Sequence, residues 1–150
     1  MLPLECYFKD MITFSRTTFS NPDLQQLIVE LDKEFVVRYP FIENIRVPFN
    51  LLNESARVVI AYDLTTPIAC GAFRPVDETT IEIKRMFTVP SYRNQGIGKK
   101  LLLELERWAR REGFNVSLLE TGVNQPEAIA AYEKSGYTRI PNFPPYVDVK

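Results

Sequence analysis

Between Thr79 and Arg111 the chain changes character twice, and no other stretch narrows the fold so far. Thr79 to Val89 is rich in β-branched and aromatic residues and reads as a strand. A loop follows, Val89-Pro-Ser-Tyr-Arg-Asn-Gln-Gly-Ile-Gly-Lys-Lys. From Gly98 to Arg111, Leu101, Leu102, Leu105, Trp108 and Ala109 then recur at helical spacing, with Gly113 placed to end the helix. A strand that feeds an amphipathic helix through a glycine loop must lay the helix on one face of a sheet. The same loop is built to meet an anion. Gly96 and Gly98 remove side chains where phosphates would approach, and the amides at the helix start converge there. Lys99 and Lys100 sit in the first helical turn, where the helix dipole disfavours positive charge by about 0.3 to 1 kcal/mol each. A bound phosphate reverses that sign, although solvated surface lysines would show the same spacing.

Two familiar phosphate loops fit poorly. The nucleoside-triphosphate loop follows Gly-Lys with Ser or Thr, whereas Lys100 follows Gly98-Lys99; a dinucleotide loop needs a glycine where Leu101 stands, and comes after the first strand.

The other elements place the loop inside an α/β domain. Met11 to Thr17 reads as a strand, and Ser20-Asn-Pro-Asp as a capped helix start with proline in the first helical position. Leu24, Leu27, Ile28, Leu31 and Phe35 form an apolar stripe that ends before Pro40. Pro40 to Asn53 is either irregular or a short second helix. Arg57–Tyr62, Ile68–Phe73 and Thr79–Val89 form a three-strand meander; Asn115–Glu120 is a further strand, Pro126–Lys134 a helix stopped by Gly136, and Tyr137–Ile140 a last strand. The expectation is one domain over residues 1–150, with a mixed, mostly antiparallel central sheet flanked by helices.

Composition trims the list of functions. The 150 residues include no histidine, which removes Ser-His and Cys-His nucleophile systems and the usual zinc protease motifs. A net charge of −1 gives no broad basic field for nucleic acid or an anionic membrane, and no apolar run approaches the length of a bilayer span. The N-terminus lacks the features of a secretion signal, so a cytoplasmic location is expected. Cys6 and Cys70 have no metal-ligand spacing and read as reduced thiols, Cys70 as a small core residue. No metal is expected.

Arg93-Asn-Gln-Gly-Ile-Gly resembles the Arg/Gln-x-x-Gly-x-Gly/Ala cofactor motif of the GCN5-related N-acetyltransferases (GNAT). The resemblance runs back through Glu82-Ile-Lys-Arg-Met-Phe-Thr-Val-Pro and forward through Ala131-Tyr-Glu-Lys-Ser-Gly-Tyr, covering roughly residues 57 to 140. It is strongest to small bacterial members with Glu-Ile-Lys-Arg-Met before the loop and Gln-Pro-Glu-Ala-Ile, here Gln125 to Ile129, before the tyrosine helix.

The resemblance implies transfer of an acetyl group from acetyl-CoA to an amine, on a small molecule in preference to a peptide or protein. It places the CoA pyrophosphate on the amides of Arg93, Asn94, Gln95, Gly96, Ile97, Gly98 and Lys99. The pantetheine arm would lie beside Met86, Phe87 and Thr88, in a gap where that strand parts from Asn115–Glu120. Asn124 would hold the same arm, or be only a turn or cap residue. Glu82 matches a general base of the histone-modifying branch, against the alternative of a charge that pairs with Lys84 or Arg85 or faces solvent. Tyr132 matches the general acid that protonates the CoA sulfur, against a core aromatic. Thr88 stands where the family favours a branched apolar residue. The family closes its sheet with one more strand than this sequence offers, so another chain, as in a homodimer, is one way of completing that edge. A noncatalytic acyl-CoA sensor is the competing class.

Overall fold

The computed structural model describes residues 1–5, 11–40 and 51–147. Most of the undecided segment after Pro40 falls at 41–50, and Cys6 at 6–10, outside the described residues. In chain order the elements are β1 (Ile12–Thr17), α1 (Pro22–Arg38), β2 (Arg57–Asp63), β3 (Thr66–Pro75), β4 (Thr80–Thr88), a 3₁₀ turn (Pro90–Tyr92), α2 (Ile97–Arg111), β5 (Val116–Leu119) and α3 (Pro126–Lys134). The strands lie side by side in sequence order. β1 to β4 pair antiparallel, and β5 joins β4 in parallel after the α2 crossover. This is the mixed, mostly antiparallel sheet expected from the sequence.

The helix ends follow their local chemistry. The Asn21 side chain accepts a hydrogen bond from the amide of Asp23 (2.9 Å), with Pro22 opening α1. At the other end of α2, Gly113 adopts φ +96° and the amide of Phe114 reaches back to the carbonyl of Ala109 (3.1 Å). Gly136 (φ +95°) closes α3 in the same way, through Tyr137 to Tyr132 (3.1 Å). Both are left-handed glycine caps that satisfy orphan carbonyls.

Alternation along β2 splits the core into two layers. Val59 and Ala61 face α2, packing with Phe73, Ile81, Ile83, Leu101 and Leu105. Val58 and Ile60 face α1, packing with Leu24, Leu27, Cys70 and Phe87. Glu82 and Lys84, alternating with Ile81 and Ile83 on β4, are thereby sent to the α1 face.

The strand β4 is irregular where it matters most. Ala72 pairs with Lys84 and Cys70 with Phe87, so Gly71 alone opposes both Arg85 and Met86. This is a β-bulge, with Arg85 in the left-handed region at φ +57°. The Cys70 thiol donates to the carbonyl of Arg85 (3.3 Å), and the Arg85 guanidinium pairs with Asp32 of α1 (2.6 Å), holding the bulged residue from both sides. Burial pushes the Cys70 thiol up to about 12, which fits the core role expected of it.

One expected element is absent: Tyr137–Ile140 is not a strand. Tyr137 bonds instead to Ser117 (2.8 Å) and Glu106 (3.0 Å) through its hydroxyl, and Arg139 pairs with Glu133 of α3 (2.7 Å). Side-chain ties to three elements fix this stretch without a ladder. Pro141, Pro144 and Pro145, which follow at once, have no N–H to extend one.

Gly71 is the position on which the bulge depends. A Cβ there would meet the Met86 sulfur and lie 2.5 Å from Leu101 Cδ2 and 2.9 Å from Leu105 Cδ1, and both leucines are fully buried. Gly71→Ala should therefore destabilise the protein by about 1 to 3 kcal/mol, the scale of an overpacked core, seen as a lower urea midpoint. An unchanged midpoint would mean that α2 does not rest on the bulge.

Candidate functional site

Two parts of the site are backbone. The 3₁₀ turn consumes the amide of Arg93, which donates to the carbonyl of Pro90 (3.2 Å). The amides from Asn94 to Lys99 then have no hydrogen-bond acceptor among the described residues. Asn94 (φ +63°) and Gly96 (φ +79°) both take the left-handed conformation, which folds successive N–H groups into a concave nest capped by the N-terminus of α2. The first turn of α2 has no acidic residue, and Lys99 and Lys100 are exposed beside it. Outside its chain neighbours and its own helical backbone, the nearest atom to a Cβ on Gly98 would be the Thr88 hydroxyl oxygen at 3.7 Å, so packing alone does not demand a glycine there. The missing side chain leaves room for a ligand instead.

The second part is a split in the sheet. β4 and β5 pair only from Thr80↔Val116 to Ile83↔Leu119. Lys84 to Thr88, the stretch that carries the bulge, run on with no strand partner on that side among the described residues, so the strands part as the chain leads toward the nest. A cavity of about 120 Å³ occupies the split. It is walled by Leu31, Asp32 and Phe35 of α1, by β4 from Glu82 to Met86, by the segment after β5, and by Tyr132 and Tyr146. Glu82 and Tyr132, the two residues proposed for chemistry from sequence, thus meet in one cavity.

Glu82 is only 2 % exposed and its carboxylate is crowded. Arg74, its cross-strand neighbour, donates to Oε2 from Nε (3.2 Å) and Nη2 (2.9 Å). On Oε1 it receives Lys84 Nζ (3.3 Å) and the Tyr146 hydroxyl (2.6 Å), and Lys84 also donates to the Tyr146 oxygen (2.7 Å). Burial pulls the Lys84 ammonium below its ordinary pKa, opposed by the attraction of Glu82. Sequence reasoning missed Tyr146. It lies past the last helix, in a proline-rich tail with no periodicity to flag it, and its only sequence mark is an aromatic after Pro144-Pro145.

Tyr132 is different in kind. Its ring packs edge-on against Tyr137 (centroids 5.8 Å apart), yet its hydroxyl has no hydrogen-bond partner among the described residues. Burial pushes its pKa up to about 12, so it stays protonated and available as a donor throughout the neutral range.

The remaining sequence-picked residues divide. Met86 faces α2 and also touches the cavity, Phe87 is buried under α1, and Thr88 borders Gly98 across the loop. The Arg93 side chain turns away from the nest, to Glu34 of α1 (Nη1 3.1 Å, Nη2 2.5 Å) and to the carbonyl of Thr88 (2.9 Å). The side chain ties the loop to α1, and because the Arg93 amide is already bonded to Pro90, the run of available amides starts at Asn94. Asn124 is likewise diverted. Its amide donates to the Tyr39 hydroxyl (2.9 Å) and its side chain to the carbonyl of Arg38 (3.4 Å), while the next residue, Gln125, is the one that lines the cavity.

Known proteins share this fold. The Acetyltransferase (GNAT) family pattern matches residues 21–137. The chain belongs to the GNAT acetyltransferase family. An IAA acetyltransferase from Azospirillum brasilense is 36 % identical over 137 residues, covering 90 % of each chain. Among solved structures, one described as an acyl-CoA N-acyltransferase from Klebsiella pneumoniae superposes with a TM-score of 0.78 at 28 % identity, over 93 % of this chain and 91 % of the other. A GNAT family acetyltransferase from Elizabethkingia anophelis, solved with acetyl-CoA bound, gives a TM-score of 0.62 at 25 % identity, over 85 % and 76 %. Acetyl-CoA-dependent acyl transfer is the general activity of GNAT members, and the nest and the split suit its two ends. The first presents unbonded amides, the second an open strand edge. Among the described residues no helix is long and apolar enough to cross a membrane.

Gly98 allows fold and ligand to be separated. Gly98→Val places methyl groups in the nest where the protein itself has space. Its urea stability should stay within about 1 kcal/mol of wild type, the span of helix propensities, whereas acetyl-CoA affinity measured by calorimetry should fall at least tenfold. Wild-type affinity in this variant would move the phosphate site elsewhere.

Proposed function

We propose that the protein acetylates a primary amine on a small molecule by direct transfer from acetyl-CoA, with Tyr132 as general acid and Glu82 as the final acceptor of the amine's proton. The observation that carries this reading is the convergence of both side chains on one cavity in the β4–β5 split. Acetyl-CoA supplies the acyl group as a thioester. The chain must position that group, accept a proton from the attacking amine and give one to the departing sulfur. The nest from Asn94 to Lys99 holds the diphosphate, and the unpaired edge of β4 after the bulge directs the arm into the cavity. An amide near Met86 to Thr88 polarises the thioester carbonyl.

Tyr132 suits the acid role because it is half-buried in the cavity wall, protonated and uncommitted through its hydroxyl to any other described residue. Leu31, Asp32 and Phe35 of α1 form the acceptor side, with Asp32 the acidic group among them.

Acetyl-CoA at about one hundred times its dissociation constant should stabilise the protein by about 2.7 kcal/mol, with NAD and ATP well behind, and a panel of primary amines should elicit CoA release. Binding with no release for any amine would favour a sensor over an enzyme. Tyr132→Phe should lower kcat about 10²-fold while acetyl-CoA affinity and melting temperature hold, because the lost hydroxyl makes no bond to a described residue. With its pKa pushed up to about 12, Tyr132 should impose no alkaline loss of rate below about pH 10; the wild-type rate should instead rise with pH as the amine deprotonates. A fully active phenylalanine variant would hand protonation of the sulfur to another donor.

A further inference from the structure

A carboxylate has about four lone-pair positions, and Glu82 has four donors on them: Nε and Nη2 of Arg74, Nζ of Lys84 and the hydroxyl of Tyr146. At 2 % exposure it has no open side, so an amine in the cavity has no vacant position on the carboxylate itself. Among these donors, Tyr146 combines the shortest contact, 2.6 Å, with a place in the cavity wall beside Tyr132. It is 3 % exposed and lies beyond residue 137, where the family match ends.

We propose that Tyr146 relays the acceptor amine's proton to Glu82, a role that rests on the acetyl-transfer reading of this site. As the amine nitrogen bonds to the carbonyl carbon and the carbon–sulfur bond breaks, the Tyr146 proton passes to Glu82 Oε1. The same phenolic oxygen takes the proton leaving the amine, and Tyr132 gives its own to the sulfur. Solvent later returns the proton from Glu82 to Tyr132, so every atom and charge is restored.

The groups around Tyr146 suit the transfer. Lys84 Nζ at 2.7 Å steadies negative charge on the phenolic oxygen while the two protons move, and Arg74 does the same for the carboxylate. Glu120 lines the cavity from the segment after β5, with Asp32 of α1 and Arg85 of β4 on its other walls. Burial and Glu82 together raise the Tyr146 pKa above its ordinary value, so the phenol rests protonated and transfers only when its own proton can leave.

The test compares wild type, Tyr146→Phe, Glu82→Gln and the double variant for kcat and KM against pH, with acetyl-CoA affinity by calorimetry and melting temperature alongside. Tyr146→Phe should lower kcat about 10²-fold near neutral pH and recover partly at alkaline pH, where the amine arrives unprotonated. Its acetyl-CoA affinity should stay within about twofold, and the double variant should be no slower than the slower single, because one path is cut twice. Incorporating 3-fluorotyrosine at position 146 keeps the ring and both hydrogen bonds while making the phenol more acidic, and should shift the pH–rate profile. Wild-type kcat in Tyr146→Phe, fully additive losses in the double variant, or an unshifted profile with the fluorinated ring would each overturn the relay and leave acetyl transfer standing. A wild-type protein that binds acetyl-CoA but releases CoA with no amine would overturn the acetyl-transfer reading, and the relay with it.

Discussion

Between Lys84 and Phe87, β4 has one residue more than β3 opposite it, and the site is built around that extra residue. A regular β4 would keep its alternation, send Met86 to the same face as Lys84, and leave no reason for the strand to part from β5. The bulge inverts the alternation instead: Lys84 faces α1, while Met86 faces α2 and fills the space that Gly71 vacates. A non-glycine residue in the left-handed region costs about 1 to 2 kcal/mol. The Cys70 and Asp32 contacts to Arg85 help offset it, and the return is an open strand edge pointing at the glycine loop.

Two polar environments then share one cavity. Around Glu82, two cations and a phenol satisfy a buried carboxylate, an arrangement that low polarity makes costly to break and rigid while intact. Around Tyr132, burial acts with no compensating bond to a described residue, which keeps that phenol neutral and its proton available. The pair thus differ in the way an acid–base pair should: one group anchored amid donors, the other unanchored and protonated. α1 joins this cavity to the phosphate nest, since Glu34 grips Arg93 of the loop while Asp32 grips Arg85 of the bulge.

Local signals in the sequence were enough for most elements. The Asn21-Pro22 start, the stripe of α2 and the Gly113 and Gly136 stops each act within a few residues, so they could be read without tertiary knowledge. The nest was legible for the same reason, because its glycines and helix start are contiguous. The bulge was not, because a two-against-one pairing exists only once β3 and β4 are in register; Gly71 inside a strand was its one available sign. Side-chain destinations were also hidden. The Arg93 side chain goes to Glu34 and that of Asn124 to the Arg38 carbonyl, and those contacts span 59 and 86 residues of sequence. Tyr146 reaches Glu82 across 64 residues from a segment with no pattern, and the expected strand at Tyr137–Ile140 gave way to side-chain ties that no period records.

A crystal structure of the complex with acetyl-CoA tests the arrangement most directly. The expected result is a pyrophosphate on the amides from Asn94 to Lys99, the pantetheine arm along Lys84 to Thr88, and the thioester sulfur within hydrogen-bond reach of the Tyr132 hydroxyl. A thioester lying outside the β4–β5 split, or a sulfur beyond the reach of Tyr132, would contradict it.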